Sequence, residues 1–309
     1  MIISKTIYER IQAKRKALNR LRPFNPGALL KLRESFRVSM TYNSNAIEGS
    51  SLSLSETRSV LEDGITIGGK SMKEHLEVTN HAKAMEWLEA LVKKRAIAES
   101  DVLELHALIL DRIDPQNAGF YRKSGVRISG TDYTPPNAAK VPERMKEVYR
   151  TLNKKSKEPI ETAAQIHREF VDVHPFIDGN GRTARLLLNL YLMRNGFPPV
   201  IILRTERQQY IRSIIEGQVG KNPAPFAHFV AQAVERSLNM YLDSLGPQTS
   251  EYLTMTEAAN VSQNRYSAEY LSFLARKGKI GAVKFNRNWK IYKDALEEYE
   301  KKHRPKTTA

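Results

Sequence analysis

Residues 174–185 of the chain read HPFIDGNGRTAR, and this stretch decides how the surrounding sequence folds. Pro175 has a fixed φ angle and keeps His174 out of the helical region, so a preceding helix must end there. The turn Gly-Asn-Gly then leads directly into a second helix. A helix N-terminus presents unpaired N–H groups and the positive end of the helix dipole, which together favour a phosphate. The sequence therefore predicts an anion-binding turn between two helices.

Four side chains around this turn carry groups suited to phosphate chemistry. Arg182 and Arg185 are three residues apart on one helix face, where both guanidinium groups can converge on one anion. Asp178 stands where phosphates are favoured, which indicates a divalent cation, Mg²⁺ or Mn²⁺, held by this carboxylate and by substrate phosphates. His174 titrates near neutrality and suits a general base acting on a hydroxyl. We infer nucleotide phosphate chemistry without a covalent enzyme intermediate.

Helical periodicity dominates the sequence on both sides of the turn and predicts a mainly helical, all-α body. Two stretches break this pattern. Residues 124–136 alternate apolar and polar side chains around a Gly-Thr-Asp turn and predict a small β-hairpin, and residues 279–285 with 289–293 predict another. The predicted helices cover residues 4–21, 28–48, 54–63, 71–94, 99–112, 142–154, 161–173, 181–195, 206–218 and 224–243, and in the tail 255–261, 267–277 and 294–303.

The composition is typical of a globular protein of two or three domains. Hydrophobic side chains make up 41% and charged side chains 27% of the 309 residues. The absence of cysteine excludes disulfides, thiolate metal sites and cysteine nucleophiles. Neither a secretory signal nor a membrane-spanning apolar run is present, so we expect a cytoplasmic protein with no membrane partner. The formal net charge of +15 favours polyanionic partners such as nucleotides or nucleic acid.

The stretch 174–185 resembles the signature of Fic-domain (Fido) proteins, HPFx(D/E)GN(G/K)RxxR, with every specified position filled. Residues 119–136, GFYRKSGVRISGTDYTPP, are similar to the segment known in that family as the flap, and the resemblance extends roughly over residues 30–243. It implies a Fic fold and a protein adenylyltransferase, an enzyme that moves AMP from ATP onto a Ser, Thr or Tyr hydroxyl of a target protein.

The resemblance also implies a role for each matched position of the turn. His174 would activate the acceptor hydroxyl and Asp178 would bind the magnesium ion. Asn180, Arg182 and Arg185 would take part in catalysis by holding the phosphates and offsetting charge as pyrophosphate leaves. The target protein would align its backbone on the flap by strand addition.

The implied nucleotide site reaches beyond the turn. Tyr210 resembles a tyrosine that lines the nucleoside pocket, and Gln218 stands where some relatives carry Asn. The whole implied nucleotide-binding set is Val126, Arg127, Ile128, Ser129, Asp178, Gly179, Asn180, Gly181, Arg182, Arg185, Tyr210 and Gln218.

A second motif lies upstream, at Ser44-Asn-Ala-Ile-Glu48-Gly. Ser44 and Glu48 are four residues apart on one helix face, and the glutamate stands in the last turn, where the helix dipole disfavours a carboxylate. The segment resembles the inhibitory motif of the family, (S/T)xxxE(G/N). This implies that Glu48, with Ser44 beside it, pairs with Arg185 and keeps the γ-phosphate of ATP from its productive position.

Residues 248–309 form a small basic module with twelve Lys or Arg against seven Asp or Glu. The predicted order of two helices, a hairpin and a helix resembles a winged helix-turn-helix. Arg265 and Tyr266 would begin its recognition helix, and Arg287 would lie at the wing tip. Duplex DNA is one candidate partner of this module. A protein-interaction or dimerisation surface, which would give a homo-oligomer, is the other.

Three functional hypotheses remain open. The leading one is a self-inhibited, Mg²⁺-dependent protein adenylyltransferase, with an N-terminal helical region at 1–98, a catalytic core at 99–244 and the winged-helix module at 248–309. The alternative is a DNA-binding transcriptional regulator in which the nucleotide site acts as a sensor. The third keeps the site but changes the transfer, to UMP, phosphocholine or phosphate, or removes AMP with Glu48 taking part.

Overall fold

The computed structural model describes residues 2–128, 130–246, 252–285 and 288–303. None of the helices in these ranges combines the length and apolar character that crossing a membrane requires. The α-helices are α1 (Lys5–Arg20), α2 (Pro26–Ile47), α3 (Leu54–Glu62), α4 (Met72–Val92), α5 (Glu99–Leu110), α6 (Val141–Asn153), α7 (Pro159–Val173), α8 (Asn180–Arg194), α9 (Arg207–Gln218), α10 (Ala224–Leu245), α11 (Met255–Val261), α12 (Ala268–Arg276) and α13 (Lys293–Lys302). The strands are β1 (Tyr252–Thr254), β2 (Ala282–Phe285) and β3 (Asn288–Tyr292).

The helical pattern of the sequence is confirmed, since each predicted helix is present with both ends within two residues of the expected ones. Side-chain caps explain where several helices begin. The hydroxyl of Ser71 accepts the N–H of Glu74 at 3.2 Å, and the Glu74 carboxylate accepts the N–H of Ser71 at 3.0 Å. This reciprocal capping box fixes the start of α4.

The chain forms two compact units, residues 33–234 with the first residues of the chain, and residues 4–32 with 235 onward. This grouping differs from the predicted regions, because α1 belongs with the C-terminal elements. Arg10 Nη2 donates to Glu235 Oε2 at 2.6 Å, and Lys14 Nζ bonds the other oxygen of the same carboxylate. The charges that join α1 to the second half of α10 are 225 and 221 residues apart in sequence, so no local pattern marks them.

Helix α8 lies at the centre of the first unit, where α4 and α7 pack against it. Its run LLLNLYL is buried on all faces, as expected for a helix surrounded by other elements. The buried amide of Asn189 is satisfied, because it donates to the carbonyls of Arg185 and Val200 and accepts the N–H of Val200. The tight packing of α8 holds its N-terminus, and the turn before it, in a fixed position.

The β-hairpin predicted at residues 124–136 is not formed, and the described residues 124–128 and 130–136 contain no strand. Pro135 and Pro136 have no N–H to donate to a strand ladder, which weakens pairing on one side. The two ends of the segment bond instead to one side chain, since the carbonyls of Ser124 and Pro136 both accept from the guanidinium of Arg122. The hairpin prediction was wrong for this reason.

The second unit contains an antiparallel sheet in the order β1-β3-β2. The predicted hairpin near the C-terminal end is confirmed as β2 and β3, with Phe285 opposite Asn288. Strand β1 was not predicted, because three residues give too little alternation to be recognised; it pairs with β3 through Tyr252 and Tyr292. Arg287 at the predicted wing tip, and the first and last residues of the module, lie outside the described residues.

Candidate active site at the N-terminus of α8

The turn predicted at residues 174–185 joins α7 to α8. His174 caps α7 in the left-handed region, with φ 48° and ψ 60°. Gly179, also left-handed with φ 77°, precedes the first residue of α8. Asn180 closes the turn on itself, because its side-chain amide accepts the N–H of Phe176 at 3.0 Å and donates to the carbonyl of Phe176 at 2.9 Å. The predicted order of helix, turn and helix is confirmed, and the amide of Asn180 maintains the shape of the turn.

The carboxylate of Glu48 lies against the first turn of α8. Helix α2 ends at Ile47, so Glu48 directly follows its last turn. A Cβ atom at Gly181 would collide with Glu48 Oε1 and would stand 3.1 Å from Arg185 Nη1. Glycine thus leaves room for a negative group where the helix dipole and the unpaired N–H groups favour one. The carboxylate of Glu48 therefore lies where the sequence predicts a phosphate.

Arg185 is buried, and three residues hold its guanidinium. Nη2 forms an ion pair with Glu48 Oε1 at 2.8 Å, which confirms the expected pairing. Nε and Nη2 donate to the hydroxyl and the carbonyl of Ser44 at 3.0 and 2.9 Å, and Nη1 reaches the Tyr210 hydroxyl at 3.5 Å. Burial by itself lowers the pKa of Arg185, but Glu48 and Tyr210 outweigh it and raise the pKa above its ordinary value. Arg185 is therefore a permanent cation at this site.

Arg182 faces a different pair of carboxylates. Its Nη1 lies 3.3 Å from Glu77 Oε1 and its Nη2 lies 3.4 Å from Asp178 Oδ1. The two arginines, expected to converge on one anion, are thus paired separately. Burial raises the pKa of Glu77, and the charge of Arg182 opposes that shift. Sequence analysis missed Glu77 because its partner is 105 residues away.

His174 presents a half-buried imidazole beside the turn. Burial penalises the imidazolium and lowers the pKa of His174, and the positive charge of Arg122 acts in the same direction. The charges of Glu48 and Asp178 oppose this shift but do not cancel it. A neutral imidazole can accept a proton, so the geometry is consistent with a general base.

A second histidine, His106 of α5, supports the turn from behind. Its ring stacks on Phe176 with centroids 3.5 Å apart. Its Nδ1 accepts the N–H of Gly119 at 2.9 Å, so Nε2 carries the proton and donates to the carbonyl of Asp178 at 2.9 Å. Burial lowers the pKa of His106 to about 4, which keeps the ring neutral. Sequence analysis did not single out His106, because a lone histidine inside a helix carries no local signal.

The flap residues 126–128 are those that the resemblance places beside the nucleotide. Val126 and Ile128 are half-buried and Arg127 is exposed. Among the described residues, no hydrogen bond or ion pair joins 126–128 to the turn. Ser129 lies outside the described residues. Nucleotide contacts from this segment stay a prediction.

Tyr210 and Gln218 of α9 take different positions. Tyr210 is 2% exposed, and its hydroxyl bonds His167 Nε2 at 2.8 Å. Its ring therefore supports Arg185 from within the core, and its contact with a nucleoside stays a prediction. Gln218 is half-buried at the end of α9 and bonds the carboxylate of Asp172.

Asp178 supplies one carboxylate at the edge of the turn. Its Oδ1 accepts the N–H of Gly179 at 2.6 Å, and about half of its side chain is exposed. The described part of the chain contains no group of three or more His, Asp or Glu side chains able to hold a metal by themselves. Mg²⁺ commonly binds one or two carboxylates and completes its shell with water and substrate phosphates, so a single exposed carboxylate fits this mode of binding.

Comparison with known proteins identifies the family. The model of the Fic/DOC family matches residues 96–192. The structure of Fic-1 (aa134–508) from C. elegans superposes with a TM-score of 0.70 at 36% sequence identity, covering 77% of this chain and 72% of that chain. The chain belongs to the Fic/DOC family. The Fic match includes the turn at 174–185 and His106, whereas Glu48 and Glu77 precede it.

Other relatives extend the Fic comparison. A Fic-domain-containing signalling protein from Bacteroides thetaiotaomicron has a TM-score of 0.71 at 25% identity, covering 78% of this chain and 100% of that chain. The protein adenylyltransferase Fic of Drosophila melanogaster is 37% identical over 259 residues, which cover 81% of this chain and 51% of that protein. The chain thus spans about half the length of the curated Fic relatives it matches.

Proposed function

We propose that the chain is a protein adenylyltransferase that transfers AMP from ATP to a Ser, Thr or Tyr hydroxyl of a target protein. The observation that carries this proposal is the N-terminus of α8, where Gly181 leaves room for a negative group beside the buried cation Arg185. Membership of the Fic/DOC family supports it, as does the similarity to the Drosophila protein adenylyltransferase Fic.

In the proposed reaction, the first N–H groups of α8 and the guanidinium of Arg185 hold the phosphates of ATP. Asp178 would hold a Mg²⁺ or Mn²⁺ ion together with these phosphates, and such an ion would supply positive charge to offset that of the phosphates. His174 accepts the proton of the acceptor hydroxyl, whose oxygen bonds to the α-phosphorus while the bond to pyrophosphate breaks. Arg182 and Arg185 offset the negative charge on the departing pyrophosphate.

The acceptor protein is proposed to align on the flap by adding a strand. The described residues 125–128 pair with no other strand of the chain, so they have no ladder partner of their own. An extended acceptor segment beside them would need its hydroxyl close to His174. Contacts made by the flap residues would therefore help to select the acceptor.

We further propose that Glu48 inhibits the enzyme. Its carboxylate pairs with Arg185 and lies against Gly181, so Glu48 and a bound phosphate compete for the same charge and the same space. Glu48 and Arg185 both belong to the unit formed by residues 33–234. The proposed inhibition therefore acts within one copy of the chain.

The test is incorporation of labelled AMP from labelled ATP, into the protein itself and into proteins of a cell lysate. Glu48→Gly should increase the label, and His174→Ala should abolish it in both backgrounds while ATP binding survives. Mass spectrometry of the product separates AMP transfer from transfer of UMP, phosphocholine or phosphate. Absence of label from the Glu48→Gly form with either Mg²⁺ or Mn²⁺ would contradict the proposal, and so would activity retained after His174→Ala.

As a second candidate function, we propose that the C-terminal module is a winged helix that binds duplex DNA and makes the protein a transcriptional regulator. The order of α11, α12, the β2–β3 hairpin and α13 supports this reading. Arg265 before α12 and Arg276 at its end are both exposed. The same helix also exposes Tyr270 and Phe273, which a protein partner or a second copy of the chain would cover instead.

A gel-shift titration of the full chain with duplex DNA at several salt concentrations separates these partners. DNA binding predicts retardation that weakens steeply as salt rises, because phosphate contacts release counterions. Retardation that does not depend on salt, or none at all, would contradict DNA binding and leave the exposed aromatic side chains to a protein partner.

A further inference from the structure

Arg122 stands at the base of the flap and is 3% exposed. Within the described part of the chain, the acceptors of its guanidinium are all main-chain carbonyls. Nε bonds His174 O at 2.8 Å, Nη1 bonds Ser124 O at 2.8 Å, and Nη2 bonds Pro136 O at 2.6 Å and Val173 O at 3.4 Å. One side chain therefore connects the end of α7 to both ends of the flap segment 124–136.

The charge of Arg122 is held without a carboxylate, since no ion pair involves it within the described ranges. Burial lowers its pKa, as expected for a cation removed from water. Two of its acceptors, Val173 O and His174 O, lie at the C-terminal end of α7, where the helix dipole favours a positive charge. The helix end thus favours a cation at this point in place of the missing counterion.

The same contacts hold His174 in an unusual conformation. A left-handed φ of 48° is strained for a residue with a Cβ atom and persists only where its surroundings fix it. The N–H of His174 bonds Phe170 O at 3.0 Å, and its carbonyl bonds Arg122 Nε. The backbone N–H of Arg122 also bonds Pro175 O at 2.9 Å. Arg122 therefore contacts the peptide groups on both sides of the strained residue.

We propose that Arg122 is a positioning residue that sets the distance between the His174 imidazole and an acceptor hydroxyl docked on the flap, an inference that rests on the proposed adenylyl transfer. Its guanidinium bonds both the main chain that carries the base and the two ends of the segment that receives the acceptor. The part of the turn that directly precedes α8, residues 176–180, is held by contacts of Asn180 and His106.

Lysine cannot form the same set of hydrogen bonds as Arg122. A guanidinium offers five N–H donors in a planar fork, whereas an ammonium is a point charge on a flexible stem. Lys at position 122 retains the cation that the helix end favours but cannot reach four carbonyls on two segments at once. Arg122→Lys therefore tests geometry with charge kept constant.

The experiment compares Arg122→Lys and Arg122→Ala in the Glu48→Gly background of the full chain. Arg150→Lys and Arg150→Ala serve as matched controls, since Arg150 is an exposed arginine of α6. Two quantities are measured for each variant with labelled ATP: the self-labelling rate at saturating ATP, and the ATP concentration that gives half of that rate. Thermal unfolding establishes that each variant is folded, and Arg122→Ala is also assayed with added millimolar guanidinium ion.

We expect Arg122→Lys to lower the saturating rate at least about tenfold, since a displacement near 1 Å can cost about 100-fold in rate. The half-saturating ATP concentration should stay the same, the Arg150 variants should match their parent, and guanidinium should restore part of the rate to Arg122→Ala. An unchanged rate in Arg122→Lys would overturn the inference, and so would a loss of ATP affinity as large as the loss of rate. The inference also fails if guanidinium does not restore the rate of a folded Arg122→Ala. If the Glu48→Gly parent itself takes up no label, the proposed function fails with it, whereas a labelled parent with an equally active Arg122→Lys refutes the positioning role alone.

Discussion

Replacing Glu48 by glycine should change stability and ATP affinity in opposite directions. Breaking a fully buried ion pair by removing one partner costs about 3–5 kcal/mol. The side chain of Glu48 is 40% exposed, and Arg185 retains its bonds to Ser44 and Tyr210. We therefore expect a smaller loss in the free energy of unfolding, about 1–2 kcal/mol, which lowers the unfolding temperature by about 2–6 °C.

The opposite effect, a gain in ATP affinity, appears when ATP binds. Without the Glu48 carboxylate, a phosphate can pair with Arg185 Nη2, which lies 2.8 Å from Glu48 Oε1 in the parent. A gain of about 1.4–2.7 kcal/mol corresponds to about 10- to 100-fold tighter binding. ATP at about 100 times its dissociation constant for the variant stabilises the variant by about 2.7 kcal/mol, but the same concentration stabilises the more weakly binding parent by about 0.4–1.4 kcal/mol. The difference of about 1.3–2.3 kcal/mol is close to the initial loss. Glu48→Gly should therefore melt below the parent without ATP, and ATP should close that gap.

Calorimetric titration with ATP and thermal unfolding with and without ATP measure both effects. Glu48→Gln is the matched control, because it removes the charge but keeps the volume that lies against Gly181. Its ATP affinity should lie between those of the parent and Glu48→Gly. A Glu48→Gly variant that binds ATP no more tightly than the parent would contradict competition between the carboxylate and a phosphate. Equal ATP affinity of the Gln and Gly variants would show that the volume of the side chain at position 48 does not contribute to inhibition.

Three further predictions concern the base, a buried histidine and the metal. In the Glu48→Gly background, His174→Ala should reduce AMP incorporation by about 100- to 10,000-fold while calorimetry still detects ATP binding; lost binding would point to a nucleotide-holding role instead. His81 is fully buried with its pKa lowered to about 3, so between about pH 3 and 6.5 the unfolded chain binds one more proton and stability rises with pH. His81→Gln should flatten this dependence by about 1.4 kcal/mol per pH unit in urea unfolding between pH 4 and 6, and an unchanged slope would be incompatible with a neutral His81. A chelator should abolish AMP incorporation, and Asp178→Asn should remove the part of ATP affinity that depends on Mg²⁺; an Asn variant with the same metal dependence would exclude Asp178 as the ligand.

Local patterns predicted the elements of this chain well, because helix starts and ends depend on neighbouring residues. Pro175 predicted the end of α7 and the glycines around Asn180 predicted the start of α8. The hairpin at 124–136 was wrong, because its alternating residues suggested a ladder while the actual bonds go to Arg122. Hydrogen bonds from one side chain to the main chain leave no periodic pattern in the sequence.

The site was only partly predictable for the same reason. The Glu48–Arg185 pair was implied by the resemblance of both motifs to those of the Fic family, not by the residues of either motif alone. Glu77, His106 and Arg122 escaped sequence analysis, since their partners in the turn are 105, 72 and 52 residues away. The residues next to each of them in sequence mark it only as a helical or loop residue. Its role becomes visible only from its distance to the turn in the structure.

The burial of α8 on all faces has an evolutionary consequence. A helix enclosed by its neighbours cannot shift its first turn without repacking the core, so substitutions around it are expected to be purged. The flap is joined to the helices beside α8 through Arg122, Gly119 and Tyr133, and its described residues form no strand pairing. Under the proposed function, divergence toward new acceptor proteins is therefore expected in the loop, while the turn proposed to bind phosphate is inherited unchanged.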